Sequence, residues 1–451
     1  MKIVIVGLGT IGKTILKTLE KEKHSITLID ENKDKIEDLI SKYDVYGVVG
    51  NGANMDIQKE AEVKDCDVFI SLTDSDELNI FACMVARKVG AKNTIARVRN
   101  PDYSNQISLM KEDLGISMLV NPEKDTANEI FNLINLPSIV QVEQFAKGRV
   151  LLVEIVVERG CKLIGESLIS LGKKLNNKVL ICAIQRNGEV FIPSGNFVIQ
   201  EGDRIHFTSD VHKLGDFLSE VNLVKSPFKK IMIVGGSKIS VYLAVQLSKK
   251  KFSVKLIESD AEKAEELAKT LPKVTVVKGN CASHDVLIEE GLENMDAFVA
   301  LTDVDEENMV VSMFASKLNV KKIITKITGD DLRNMLTELG MNYNVSPKHV
   351  VANRVVSYIR ALSNIRGGNL LTLSLLVNEQ VEALEFLAQT DKNIYGKPLR
   401  ELNIKHNCLI ACIIRNNEVM IPDGNSVIYE GDTVIVVTTH KNFDDLADIF
   451  A

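Results

Sequence analysis

The sequence predicts an α/β fold in duplicate: two tandem lobes on parallel sheets, each followed by a small, strand-rich α+β lobe. Three observations predict it. The same order of features runs twice along the chain. In the first part of each copy, short apolar runs alternate with longer helical patterns, as βαβ units require. In the second part, short apolar strands such as Val150–Val157, Val179–Gln185 and Arg204–Thr208 are separated by Gly, Asn and Pro turns.

The duplication is legible residue by residue. Lys2-Ile-Val-Ile-Val-Gly7 matches Lys230-Ile-Met-Ile-Val-Gly235, and Ile26-Thr-Leu-Ile-Asp30 matches Val254-Lys-Leu-Ile-Glu258. Gly50-Asn51 matches Gly279-Asn280, and Leu72-Thr73-Asp74 matches Leu301-Thr302-Asp303. Ile192 to Asp203 and Ile421 to Asp432 share nine of twelve residues, ending in Glu-Gly-Asp. Repeats of this length imply tandem domains and not a solenoid of short units. The expected lobes are 1–137, 138–223, 229–366 and 367–451. A short basic linker with a Pro stop, Leu223 to Lys230, joins the halves.

Composition narrows the function. At 451 residues the chain exceeds one ordinary core. Trp is absent and the net charge is −7, so neither base stacking nor a basic phosphate-binding face is in evidence. Nucleic acid is excluded as a partner on that ground. No apolar run approaches the ~20 residues needed to cross a bilayer, and Val150–Val157 is broken by Glu154. Any membrane role is expected to work through a partner. The first residues read as a strand, not a signal peptide. The seven cysteines form no Cys-x-x-Cys pair and read as buried small hydrophobes; Cys408 and Cys412 are expected on one strand face.

The chemistry lies at Gly7-Leu8-Gly9-Thr10-Ile11-Gly12. This G-x-G-x-x-G follows a strand-like run and opens a helical pattern in which Ile11, Ile15, Leu16 and Leu19 share a face. A second apolar run ends in Asp30. Together these make the dinucleotide-binding, Rossmann-like fingerprint. Gly7 permits the tight turn, Gly9 lets phosphate approach the backbone, and Gly12 lets the helix pack closely. The helix N-terminus offers free N–H groups to the phosphates. Asp30 suits ribose hydroxyls and would repel a 2′-phosphate. Gly7 to Thr14 also fits the NTPase loop G-x-x-x-x-G-K-T. That loop would start its helix near Lys13, yet Ile11 already lies on the apolar helix face. The second half has Val241 in place of Lys13, so the dinucleotide turn is the better reading and Lys13 is a solvent-facing charge.

Other candidates border this site. Arg97 ends the fifth strand, where a cation faces the ligand crevice; its counterpart is Lys326. Leu72 and Thr73 end the fourth strand. Asn51 follows the third strand, and two readings stand equally: a ligand contact, or the turn residue of Gly50-Asn51-Gly52. The second copy, Gly235-Gly236-Ser237-Lys238-Ile239-Ser240, keeps only the first glycine of the motif, with Glu258 as its acid. Lys238 reads equally as a phosphate contact or a solvated charge. Occupied and empty are both open for this second site.

Hydride transfer would need a proton donor beside the nicotinamide. None of the seven histidines sits in a motif that suggests one, and no nucleophile elbow or His-Glu-x-x-His is present. An NAD-dependent oxidoreductase is the alternative reading.

These features, together with Asp76-Glu77-x-Asn79, Ala96-Arg97-Val98-Arg99-Asn100-Pro101-Asp102-Tyr103 and the Glu-Gly-Asp strands, resemble the RCK family of regulators of potassium conductance (KTN/RCK), in the tandem form of Trk-type potassium uptake regulators. The resemblance covers essentially the whole chain. It implies a non-enzymatic subunit, cytoplasmic and peripheral to the inner face of the cell membrane. Such subunits form homo-oligomeric RCK rings under a membrane potassium translocator of the Trk/Ktr type. It further implies NAD(H) as ligand, with ATP and ADP competing. The implied first-site residues are Gly7 to Ile11, Asp30, Leu72, Thr73 and Arg97. Their implied second-site counterparts are Gly235, Gly236, Ser237, Lys238, Ile239, Glu258, Leu301 and Thr302.

Overall fold

The computed structural model describes residues 1–20, 22, 24–100, 103, 106, 113–135, 139–177, 179–223, 228–364, 369–377, 380–389, 394–441, 443 and 445–450. The expected boundaries at 137/138 and 366/367, linker residues 224–227, and Pro101 and Asp102 lie outside the described residues. The chain divides into two compact units. Met1–Asn135 with Phe228–Val356 forms one, and Leu136–Pro227 with Ser357–Ala451 the other.

The first unit holds two six-stranded parallel sheets. Strands β1 (Lys2–Val6), β2 (Ser25–Asp30), β3 (Tyr46–Val49), β4 (Val68–Ser71), β5 (Asn93–Arg97) and β6 (Met118–Val120) take the order β3-β2-β1-β4-β5-β6. Both faces of such a sheet are covered, so its strands are continuous apolar runs; Ile3 to Val6 are all buried. The chain runs from β1 to β2 on one side and pairs β1 with β4 on the other. That reversal opens a crevice at the carboxyl ends, beside β1. Helix Thr10–Leu19 covers the sheet with Ile11, Gly12, Ile15, Leu16 and Leu19, spaced one helical turn apart. Each such buried Ile or Leu contributes about 1.5–3 kcal/mol.

The second unit begins with β7 (Ile139–Phe145), β8 (Val150–Val156), β9 (Leu180–Arg186), β10 (Glu189–Phe191) and β11 (Arg204–Asp210). The chain then returns to the first unit with β12 (Lys230–Val234), β13 (Ser253–Glu258), β14 (Thr275–Lys278), β15 (Ala297–Ala300), β16 (Lys322–Lys326) and β17 (Asn344–Val345). Their order, β14-β13-β12-β15-β16-β17, repeats the first sheet strand for strand. The helix Pro122–Asn135, which follows β6, packs into this second sheet's core. Its Ala127, Ile130, Leu133 and Ile134 share one apolar cluster with Ile231, Ile239, Leu243 and Leu247. Gln246 Nε2 donates to Asn128 Oδ1 at 2.7 Å, and Arg354 Nη1 donates to both carboxylate oxygens of Asp125 at 2.5 Å.

The second unit ends with β18 (Leu370–Leu376), β19 (Val381–Leu387), β20 (Cys408–Arg415), β21 (Glu418–Met420) and β22 (Thr433–Thr438). Its antiparallel sheets run β10-β9-β11-β8-β7 and β18-β19-β22-β20-β21. One apolar cluster joins them, with Phe145, Val150, Cys182 and Ala183 against Val381, Ala411, Cys412 and Ile435. Two expectations are corrected here. The register of β20 shifts between Ile410 and Cys412, so Cys412 joins this cluster while Cys408 packs on a different one. A bulge inserts one residue and reverses the alternation of faces. The repeated segments ending at Asp203 and Asp432 are loops leading into β11 and β22, not strands; Gly202 and Gly431 turn them at φ +87°. No helix among the described residues is long and apolar enough to cross a membrane.

Candidate nucleotide site

The first glycine turn assigns one task to each glycine. Gly7 has φ +87°, and a Cβ there would lie 2.8 Å from Thr73 N. Only glycine takes that conformation without strain. A Cβ on Gly12 would stand 2.3 Å from Gly7 O, so its absence brings the helix against the turn. Gly9 is different: a Cβ there meets nothing within 4 Å. Its side faces open space. Gly9 is also the helix N-cap, and no side chain bonds to the N–H groups of that first turn. The helix begins at Thr10, as a dinucleotide turn requires, and Lys13 is exposed.

Around this turn the carboxyl ends of the strands are pinned by side chains. Asp30 Oδ2 accepts from Leu8 N at 2.8 Å, and its Oδ1 accepts from Asn32 N at 2.9 Å. Asn79, fully buried, holds the loop after β4: its Oδ1 accepts from Thr73 N at 2.8 Å and Thr73 Oγ1 at 2.7 Å. Its Nδ2 donates to Thr73 O and to Arg97 O, both at 3.0 Å, which ties β4 to β5. Asp76 Oδ2 accepts from the backbone N–H of Arg99 and Asn100. Arg97 reaches Thr73 O at 3.4 Å and Asp74 Oδ1 at 3.3 Å, and its Nε is buried without a hydrogen-bond partner. Asn51 Oδ1 accepts from Ala53 N at 2.8 Å, closing its own turn, and Asn280 does the same with Ala282.

The second loop keeps the frame and changes the interior. Gly235 has φ +87°, and its Cβ would stand 2.7 Å from Thr302 N. Asn308 pins Thr302 and Lys326, and Asp305 pins Thr328 and Gly329. Glu258 is one methylene longer than Asp30, and Gly236 makes room for it: a Cβ on Gly236 would lie 2.6 Å from Glu258 Oε2. Burial would raise the Glu258 carboxyl, but the N–H groups of Asp260 and Gly236 and the charge of Lys263 outweigh it and hold it below the usual range. Ser237, in the place of Gly9, caps the helix by accepting from Ser240 N at 3.3 Å. Ser240, in the place of Gly12, donates its hydroxyl to Gly235 O.

A cavity of about 540 Å³ gathers residues of both lobes of this unit: Thr10, Ile11 and Arg97 from the first, Gly236, Ser237, Lys238 and Ile239 from the second. Arg97, Lys238, Lys263, Lys326 and Lys348 face it against the acids Glu123 and Asp303, so it favours an anion. A smaller adjoining pocket of about 160 Å³ holds Gly235, Glu258, Leu301 and Thr302. Gly7, Gly12 and Thr73 meet through the contacts above, Leu8 meets Asp30, Leu72 C would lie 2.9 Å from a Cβ on Gly7, and Gly9 heads the helix with open space at its side. Asn51 is not drawn into them. Sequence reasoning gave no role to Asn79 and Asp76, although their recurrence as Asn308 and Asp305 was a signal. Lys263 and Lys348 carried none; each reads as an ordinary surface charge.

The TrkA-N domain matches residues 3–122 and 231–347, and the TrkA-C domain matches residues 152–234 and 383–451. A Trk system potassium uptake protein TrkA homolog from Archaeoglobus fulgidus is 30% identical over 455 residues, covering 100% of both chains. The Trk system potassium uptake protein TrkA of Vibrio alginolyticus is 30% identical over 98% of this chain and 97% of its own. Among solved structures, the GsuK channel superposes with a TM-score of 0.65 at 18% identity, over 97% of this chain and 76% of that one. The crystal structure of the GsuK RCK domain gives 0.63 at 18% identity, over 97% and 92%. At that identity the likeness is one of fold, and it is the RCK fold. With its duplicated lobes matched from end to end, the chain belongs to the TrkA family of Trk-system potassium uptake proteins and is not an oxidoreductase.

Proposed function

We propose that this chain is the cytoplasmic, nucleotide-binding regulatory subunit of a Trk-type potassium uptake system. It assembles as a homo-oligomeric ring on the inner face of the membrane and gates a potassium translocator of the Trk/Ktr type. NAD(H) binds the first glycine loop, and ATP and ADP compete for it. The observation that carries this reading is the uncapped helix at Gly9: a glycine with open space at its Cβ position heads a helix whose first N–H groups have no side-chain partner. That is an anion seat. Asp30 beside Leu8 supplies the ribose acceptor, and the buried, unpartnered Nε of Arg97 supplies a further donor. Structures of the similarly folded GsuK have been solved with NAD and with ADP, which supports the same ligand class here.

Gating then needs only unequal binding to two arrangements of the lobes. Phosphate charge entering the shared cavity meets Arg97 on one wall and Lys238, Lys326 and Lys348 on the other. A ligand with more phosphate charge there favours the closer arrangement. A coupling of about 1–3 kcal/mol changes gate opening severalfold or more. Arg97→Ala should abolish the difference between ADP and ATP effects on potassium flux; an unchanged difference removes Arg97 from the mechanism. The whole reading is tested by co-purification with a potassium translocator and identification of the bound nucleotide by mass. A preparation that ignores every adenine nucleotide sinks it.

A further inference from the structure

We infer that the second glycine loop carries its own occupant and takes no nucleotide, so that each chain binds one nucleotide, in its first lobe. The inference rests on the nucleotide-binding reading of the first loop and adds a stoichiometry to it.

Two differences between the loops carry it. The first is at the helix N-terminus. In the first lobe that terminus is open; in the second, Ser237 Oγ already accepts from Ser240 N and lies 3.0 Å from Ser240 Oγ. The serine oxygen stands where a phosphate oxygen would have to stand. An incoming phosphate must displace a cap that costs the chain nothing to keep, because it is covalently attached and local.

The second difference is charge. The second pocket is lined by Glu258, Asp303 and Glu307 with Lys263 as the opposing cation. Glu307 stands where the first lobe has Leu78, and Cys281 where it has Gly52. Cys281 Sγ donates to Glu307 Oε1 at 3.4 Å, which fixes the new acid in the pocket wall. A pyrophosphate placed there meets like charge in a partly desolvated site.

Glu258 takes the place of Asp30 with a longer side chain: its Oε2 accepts from Gly236 N at 2.8 Å, and a Cβ on Gly236 would lie 2.6 Å from that oxygen. The frame of the site survives in Gly235, Asn308 and Asp305; the grip does not.

The test is calorimetric titration of the full-length chain with NAD+, and separately with ATP. The expected stoichiometry is one ligand per chain. Two per chain overturns this inference and leaves the functional reading standing; none overturns both. Location is read on the same wild-type protein with an NAD analogue photoreactive at the adenine ring. Cross-linked peptides should come from the first lobe, around Asp30 to Thr73, and labelling of the segment around Glu258 to Thr302 overturns the inference. Gly9→Glu should bring the stoichiometry to zero, and a full equivalent retained by that variant places the ligand in the second lobe and overturns it too.

Discussion

In the unit formed by the strand-rich lobes, Arg186 clasps Asp203 through Nε and Nη2, both at 2.7 Å, and donates to Val198 O at 2.8 Å. Arg415 repeats this with Asp432 at 2.9 and 2.8 Å and with Val427 O at 2.7 Å. In the other unit the two glycine loops have parted at the start of the helix, with Gly9 against Ser237 and Gly12 against Ser240. The clasp holds the same loop in both halves, accepting Gln200 N in one and Tyr429 N in the other. Within one duplicated chain, what the fold needs is kept twice and, on the reading proposed above, what a ligand needs is kept once. Gly7 and Gly235 obey the same rule as the clasps, because both sit at φ +87° against a threonine N–H.

Breaking the clasps tests the first half of that rule and should give the largest effects. Arg186→Ala and Arg415→Ala each leave a carboxylate, Asp203 or Asp432, buried without its cation. Each should lose about 3 kcal/mol in urea unfolding, and by similar amounts. A cost confined to one half would show that the two clasps are not equivalent. The loops test the second half. Gly9→Ala adds a methyl that touches nothing. It should leave unfolding free energy within about 0.5 kcal/mol while weakening NAD+ binding by about tenfold or more, or about 1.4 kcal/mol. The matching exchange in the second loop, Ser237→Ala, should cost about 1 kcal/mol of stability by removing a cap and leave NAD+ affinity unchanged. Isothermal titration and denaturation together separate these outcomes.

A smaller effect is expected from acid. His206 is buried, and desolvation holds its pKa below the usual value, with Arg204 acting the same way and Glu154 against them. Its folded pKa is depressed, so the unfolded chain binds the proton more readily. The neutral imidazole's contribution is complete above the unfolded value, about 6.5, and is lost as pH falls below it. In the second half the same strand position is Ile435. His206→Ile should therefore flatten the acid side of the pH–stability profile below about pH 6.5. A variant that follows the wild-type profile would clear His206 of that role.

Much of this was readable from residues alone, for physical reasons. The parallel sheets announce themselves because a strand covered on both faces must be apolar throughout, as Ile3 to Val6 are. The turn announces itself because Gly7 and Gly12 stand where a side chain would strike backbone. The Ser237 cap was visible only as a missing glycine; its bond to Ser240 depends on a helix start that spacing alone does not fix. Asn79 was visible as a repeated letter, but its bonds run to Thr73 and to Arg97, on two strands that only the fold brings together. The two faces of Cys408 and Cys412 were misread because one bulged residue reverses alternation without changing composition. The passage of helix Pro122–Asn135 into the other lobe's core left no trace in its apolar periodicity, since that pattern names a buried face and not its partner.

That passage has a consequence for how the two halves could diverge. Two separate, identical chains that exchanged this helix would carry any change at the glycine turn in both lobes at once. With both copies on a single polypeptide, the loan is made inside one molecule and the symmetry is no longer enforced by genetics. One turn is then free to lose its ligand and become scenery for the other, while the lent helix keeps the pair inseparable.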